Sequence, residues 1–345
     1  MIINRVFCIA LVFLCIGCTD TKIRLNDSSL SFSSFPNTEL LKFTVLSDQL
    51  MEVPNEMVLY EGNLILNTFN KSHEEWIAIY SLRENKIIKE MIDYGQGPDE
   101  MLSCRIGLFD NKIFFYDMSK MQIGIMPVDS FLLSENIFIS KRKLKTFYKT
   151  VALVSDSIVL ATNNLSSPLK ITYANLNTGT THGQGNYAYL PDIPLDAVVD
   201  ASSCYVNVNP ETKDIVLSYR YTDMVEIYSS GGELKHALHG PIGFDIMFRS
   251  NYGDGHYYMA KTKDTRKAFV NSYVTENNIY LLFSGCTREE ECWPYGNEIF
   301  VYSWDGVPLK KYISEYPIYT FAVDEAQQVI YSYSMTTDEL LVAKL

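Results

Sequence analysis

The stretch Glu298-Ile-Phe-Val-Tyr-Ser-Trp-Asp-Gly-Val-Pro-Leu309 decides the fold. Ile299 to Trp304 carries aromatic or β-branched residues on both alternating faces, the pattern of a strand buried on both sides. Asp305-Gly306 supplies a tight turn, and Leu309-Lys-Lys-Tyr-Ile313 reads as the returning strand. Weaker versions of this unit recur along the chain.

Working outward, a first unit of four strands runs from Met57 to Ile92 and ends in Gly95-Gln-Gly-Pro98. A second runs from Arg105 to Met126, with a further strand near Asn136-Ile-Phe-Ile139. The third spans Thr150 to Tyr173 and closes near His182-Gly-Gln-Gly-Asn186, and the fourth spans Ser203 to Pro241. An irregular stretch, Ile242 to Lys267, interrupts the series. The fifth unit contains the opening stretch. The sixth, Ile318 to Lys344, stops after three strands at the C-terminus.

Gly-Gln-Gly at 95–97 and again at 183–185 lies 88 residues apart, or two periods of about 44. Four-stranded repeats of that length predict an all-β, six-bladed β-propeller. A β-sandwich explains neither the period nor the ends. The last unit lacks a strand and the chain has a spare one at Leu40–Val45, so the N-terminal strand is expected to join the C-terminal blade and close the ring. The propeller domain is expected to occupy residues 39–345.

Composition agrees with strands. Apolar residues make up 47% of the 345, with 24 Tyr and 18 Phe, and aromatics at this level suit packed sheets. The net charge of −12 argues against a nucleic-acid partner with a uniformly basic protein surface. The basic run Lys141-Arg142-Lys143-Leu144-Lys145 reads as a solvated loop or edge strand.

Residues 1–17 read as a secretion signal. Arg5 supplies a positive start, and Val6–Gly17 is a 12-residue apolar run, too short for an ordinary transmembrane helix. It ends in Leu14-Cys15-Ile16-Gly17-Cys18, which resembles the lipobox of bacterial lipoproteins. The resemblance implies cleavage before Cys18 and acylation there, although Cys15 stands where Leu is most usual; a plain signal peptide is the alternative. Residues 18–38, polar and without periodicity, read as a flexible tether. Outside the cytoplasm cysteines pair. Cys286 and Cys292, enclosing Thr-Arg-Glu-Glu-Glu, are the favoured pair; Cys104 and Cys204 read as buried free thiols.

The whole pattern resembles the TolB-like six-bladed propeller lipoproteins of bacteria. Besides the lipobox, the resemblance rests on Gly95-Gln-Gly-Pro-Asp-Glu-Met101, Ile279-Tyr-Leu-Leu-Phe-Ser-Gly285, Ile299 through Trp304-Asp-Gly-Val-Pro308, and the closing Phe321-Ala-Val-Asp-Glu325 through Val329-Ile-Tyr331 to Leu345. It implies a fold and an envelope location, and the place expected for the chain is the bacterial outer membrane, anchored by lipid and facing periplasm or surface. It implies no particular activity.

Candidate sites are few. Gly95-Gln-Gly-Pro lacks the helix, Lys and Ser/Thr of a phosphate loop and reads as a connection whose glycines adopt angles other residues avoid. Asn251-Tyr-Gly-Asp-Gly-His256 lacks the acidic pattern of a calcium loop. The long insertion around it, with Tyr252, Tyr257 and Tyr258, offers rings for sugars or peptides. Glu289-Glu-Glu291 and Trp293 form either a partner surface or a solvated loop with Trp293 packed beneath. Arg220-Tyr221, following the inner strand of the fourth unit, is placed to reach the central opening. Arg220, Tyr221, Tyr257 and Trp293 are thus the candidate ligand residues. No histidine spacing fits a metal, no nucleophile elbow is present, and no catalytic residue or cofactor is assigned. The chain reads as an envelope binding module for a protein, peptide or glycan. The alternatives are a calcium-dependent lactonase-like or glycan-cleaving hydrolase, which needs carboxylates or Asn converging in the channel, and a structural part of an outer-membrane complex.

Overall fold

The computed structural model describes residues 20–26, 28–48, 52–70, 74–134 and 140–345. Its described strands form six blades. The innermost strands are Glu56–Tyr60, Arg105–Phe109, Thr150–Ser155, Cys204–Val208, Phe269–Val274 and the C-terminal half of Pro308–Asp324. Each packs beside the next, and the last returns to the first, so the ring is closed. Within a blade, neighbouring strands pair antiparallel.

The reason these segments are strands lies between the blades. Each interface holds its own apolar cluster. Leu160 and Ile171 meet Val206 and Leu217 between the third and fourth blades, and Val216 and Ile227 meet Phe269, Leu281 and Phe300 between the fourth and fifth. A middle strand is covered on both faces, so Ile215–Tyr219 and Met224–Tyr228 are buried at every position. The seam is no exception: Leu64, Leu66 and Tyr80 of the first blade pack on Tyr331, Tyr333 and Leu340 of the last.

The N-terminal segment departs from the expectation of a flexible tether over 18–38. Thr21–Ile23 pairs antiparallel with Ile246–Gly253, and Leu30–Ser31 pairs parallel with Leu234–His239. Phe35 is buried with its ring 4.8 Å from Phe300 and 5.5 Å from Tyr302. The expected closing strand is divided: Thr38–Leu41 adds in parallel to Pro308–Asp324, and Thr44–Ser47 completes the sixth blade against Leu340–Lys344. Backbone hydrogen bonds supply this pairing, so a polar sequence can carry it. Cys18 and Asn136–Ile139 lie outside the described residues; the outer strand of the second blade is Lys141–Lys143.

Three further expectations are corrected. The stretch after Pro241 is a hairpin of Ile246–Gly253 and His256–Ala260, with Thr21–Ile23 as its third strand. The two Gly-Gln-Gly copies occupy different places: residues 95–97 follow the outer strand Lys86–Asp93, whereas 183–185 lie inside the outer strand Thr181–Asn186. Gly95 and Gly97 do not adopt a left-handed backbone, and the Glu100 carboxylate folds back beside both. A Cβ on Gly95 would stand 2.0 Å from Glu100 Oε2, the oxygen that accepts from Gly97 N at 2.7 Å. Among the described residues no helix is long and apolar enough to cross a membrane.

Candidate ligand site at the mouth of the ring

Strand register assembles one face of the ring. Cys204 lies opposite Tyr219, Phe269 opposite Phe283, Glu56 opposite Asn67 and Arg105 opposite Tyr116. The segments leading into the inner strands therefore share a face with the loops that follow the second strands. Arg220 and Tyr221 follow the second strand of the fourth blade, Ile215–Tyr219, and not the innermost one. They reach the mouth through that loop.

Backbone bonds stitch this corner together. Arg220 N donates to Ser203 O, and Ala268 N donates to Arg220 O. Lys267 N donates to Cys286 O and Gly285 N to Lys267 O, so Lys267 is locked beside the loop of the fifth blade. Cys286 and Cys292 are joined by a disulfide, and Ser284 Oγ donates to Cys292 O at 3.0 Å. Glu290 turns onto its own loop, accepting from Thr287 N and Oγ1. Trp293 is buried beneath.

Three cations lie against two buried rings, and a fourth lies against a third ring beside them. Trp293 and Tyr221 lie 6.2 Å apart and nearly parallel. Lys267 Nζ is 4.8 Å and the Arg288 guanidinium 5.8 Å from the Trp293 ring, while Lys261 Nζ is 5.6 Å from that of Tyr221. The Arg220 guanidinium lies 5.5 Å from the Tyr205 ring, whose hydroxyl donates to Val270 O. Such contacts stabilise a cation only modestly. Burial and then the charges of Arg220, Lys261 and Arg288 push the Lys267 ammonium down to about 8.

Carboxylates nearby are engaged. Asp200 accepts from Lys149 Nζ at 2.9 Å and from Met259 N at 2.9 Å. Glu56, at the start of an inner strand, accepts from Asn67 Nδ2, Arg105 Nη1 and Ile106 N. Among the described residues no group of three or more His, Cys, Asp or Glu side chains is gathered to hold a metal.

Of the four sequence candidates, Arg220, Tyr221 and Trp293 come together. Tyr221 and Trp293 are buried, so they prop cations and do not present exposed rings. Tyr257 stands apart: its N–H donates to Asp196 Oδ2 and its exposed ring meets Tyr252 at 4.9 Å. Cys104 and Cys204 are free and buried, and burial pushes the Cys204 thiol up to about 12, leaving it inert. Lys261, Lys267 and Arg288 escape sequence reading. Lys261 and Lys267 bound the basic run Lys261-Thr-Lys-Asp-Thr-Arg-Lys267, the one local signal of this site, whereas Arg288 lies in a separate loop and only the closed ring brings it and Arg220 to them.

The fold is shared with solved structures of low identity. A member of the DUF4221 family from Bacteroides vulgatus superposes with a TM-score of 0.53 at 10% identity, covering 94% of this chain and 95% of that one. Raptor from Chaetomium thermophilum superposes at 0.51 with 11% identity, over 89% of this chain and 29% of that one. No curated protein matches the sequence. A profile of TolB-like 6-blade propeller-like proteins matches residues 32–326, and with six blades closed in one ring the chain belongs to that family.

Proposed function

We propose that this chain is a lipid-anchored protein of the bacterial outer membrane that binds its ligand, a protein, peptide or glycan, at the mouth of the ring. The observation that carries this reading is the gathering of Arg220, Lys261, Lys267 and Arg288 over Tyr205, Tyr221 and Trp293 in a protein of net charge −12. A rigid scaffold that concentrates the minority charge at one opening favours capture there. A hydrolase of the propeller type would draw on channel carboxylates. Glu56 instead holds Asn67, Arg105 and Ile106 N together.

Two measurements test the reading. Cys18→Ala is expected to abolish labelling by a radioactive fatty acid and to release the chain from the membrane fraction; retention with the label intact would refute the anchor. Hydrogen exchange during a screen of peptides and glycans should show protection at residues 220–223 and 284–293. The bound compound should be recovered unchanged by mass spectrometry, and recovery as cleaved product would make the chain an enzyme.

A further inference from the structure

We propose that Arg220, Lys261, Lys267 and Arg288 form an oxyanion site that takes a carboxylate, sulfate or phosphate group of the ligand. The proposal rests on the reading of this face as the ligand face and adds the chemistry that it recognises.

Lys267 is 9% exposed. An ammonium brings three donors and one positive charge, and buried lysines are ordinarily paired. Among the described residues Lys267 Nζ has no hydrogen-bond acceptor and no carboxylate. Its charged neighbours are Arg220, Lys261 and Arg288, all of the same sign, and its other contact is the Trp293 ring. Arg220 repeats the pattern. Its Nε is buried without an acceptor, while its guanidinium lies on Tyr205. A buried donor left without an acceptor is destabilising.

Among the described residues no hydrogen bond reaches Arg220 Nε or Lys267 Nζ. Asp200, the carboxylate that faces Arg220 and Lys261, is held by Lys149 and by Met259 N. Glu290 is folded onto Thr287, and Glu56 is bound to Arg105. An oxyanion provides both missing components: lone pairs for Arg220 Nε and the Lys267 ammonium, and a negative charge that offsets their repulsion. The guanidinium fork suits a planar or tetrahedral oxyanion. The aromatic faces keep the cations in place while the site waits. The labile Lys267 proton fits the same picture, because a bound anion would hold it on.

The test compares thermal unfolding of the full chain in detergent, in sodium chloride, sulfate, phosphate or acetate at one ionic strength. In chloride, Lys267→Met is expected to unfold at a higher temperature than the wild type, since it removes a cation from a crowded group. An oxyanion should raise the wild-type midpoint and leave Lys267→Met nearly unmoved. In titration calorimetry the same change should weaken binding roughly tenfold or more, the loss of one charged hydrogen bond. Arg288→Gln, at an exposed position, should keep the fold and reduce the oxyanion response. A response to acetate alone assigns a carboxylate, and one to sulfate or phosphate assigns a tetrahedral anion.

A lower midpoint for Lys267→Met in chloride, with an undiminished gain in every oxyanion, would overturn the site. So would equal gains in all variants, which mark a general salt effect. If a screened ligand protects residues 220–223 and 284–293 while no oxyanion shifts any variant, the oxyanion site fails and the ligand face stands. If the oxyanion shifts occur but ligand protection maps to the opposite face, the site stands and the ligand face fails.

Discussion

Two buried lysines, one on the third blade and one at the entry to the fifth, have opposite surroundings. Lys170 is buried between the third and fourth blades, where its Nζ donates to Glu226 Oε1 at 2.8 Å and Oε2 at 3.0 Å. Tyr219 and Tyr228 hydroxyls donate to the same carboxylate at 2.5 and 2.8 Å. Lys267 is almost as buried and has three cations and an indole for company. The first arrangement is complete without a ligand, so its role is to join two blades. The second is incomplete, which is why it points to a ligand. Burial of a charge says little about function until its partners are counted.

The largest effect should come from breaking the complete pair. Glu226→Gln keeps the shape and leaves Lys170 buried without a counter-charge, an expected loss of about 3–5 kcal/mol. Urea denaturation measures it, and a loss below about 1 kcal/mol would mean that water reaches Lys170 or that Tyr219 and Tyr228 suffice.

Cys286→Ser should have a smaller effect, on the order of 2 kcal/mol for so short a loop. It acts on the incomplete site, because the disulfide closes the loop that bears Arg288 and leads into Trp293. Hydrogen exchange should accelerate over residues 284–293 and remain unchanged around Lys170. Acceleration at both places would erase the distinction between the two regions.

The smallest effect is a pH dependence. Lys267 has a folded value of about 8 against about 10.4 in an unfolded chain. Its folded value is the lower one, so between these limits the unfolded chain binds more protons and stability rises with pH. Below about 8 both states are protonated and the full penalty of about 1–3 kcal/mol is present. Arg220, Lys261 and Arg288 face the group as cations and Asp200 faces Arg220 and Lys261 as a carboxylate. The stability advantage of Lys267→Met over the wild type should therefore be largest near pH 7 and narrow by pH 10. A difference that stays constant with pH would show that Lys267 is destabilising for packing reasons and not for charge.

Much of the fold was legible in the residues. Runs such as Ile279–Phe283 and Ile299–Trp304 are buried on both faces, and a strand enclosed between two blades requires β-branched and aromatic residues at successive positions. The sixth blade's missing strand and the spare N-terminal strand were also visible, since a four-stranded repeat that stops one strand short needs its fourth strand from elsewhere in the chain. The N-terminal segment was not. Leu30–Ser31 and Thr38–Leu41 join their sheets through backbone hydrogen bonds, which any sequence can make, and Phe32 and Phe35 were the faint apolar signal of that docking. The glycines at 95 and 97 were legible as a loop, but the Glu100 carboxylate folded back beside them was not.

The sequence by itself determined the strand content, the blade count and the means of closure, because each is written in neighbouring residues. The tertiary structure alone decided which charges meet. Arg220, Lys261, Lys267 and Arg288 occupy loops and strand ends of the fourth and fifth blades and of the hairpin between them. Attraction and repulsion act through space, and no local pattern records a distance that exists only once the ring has closed.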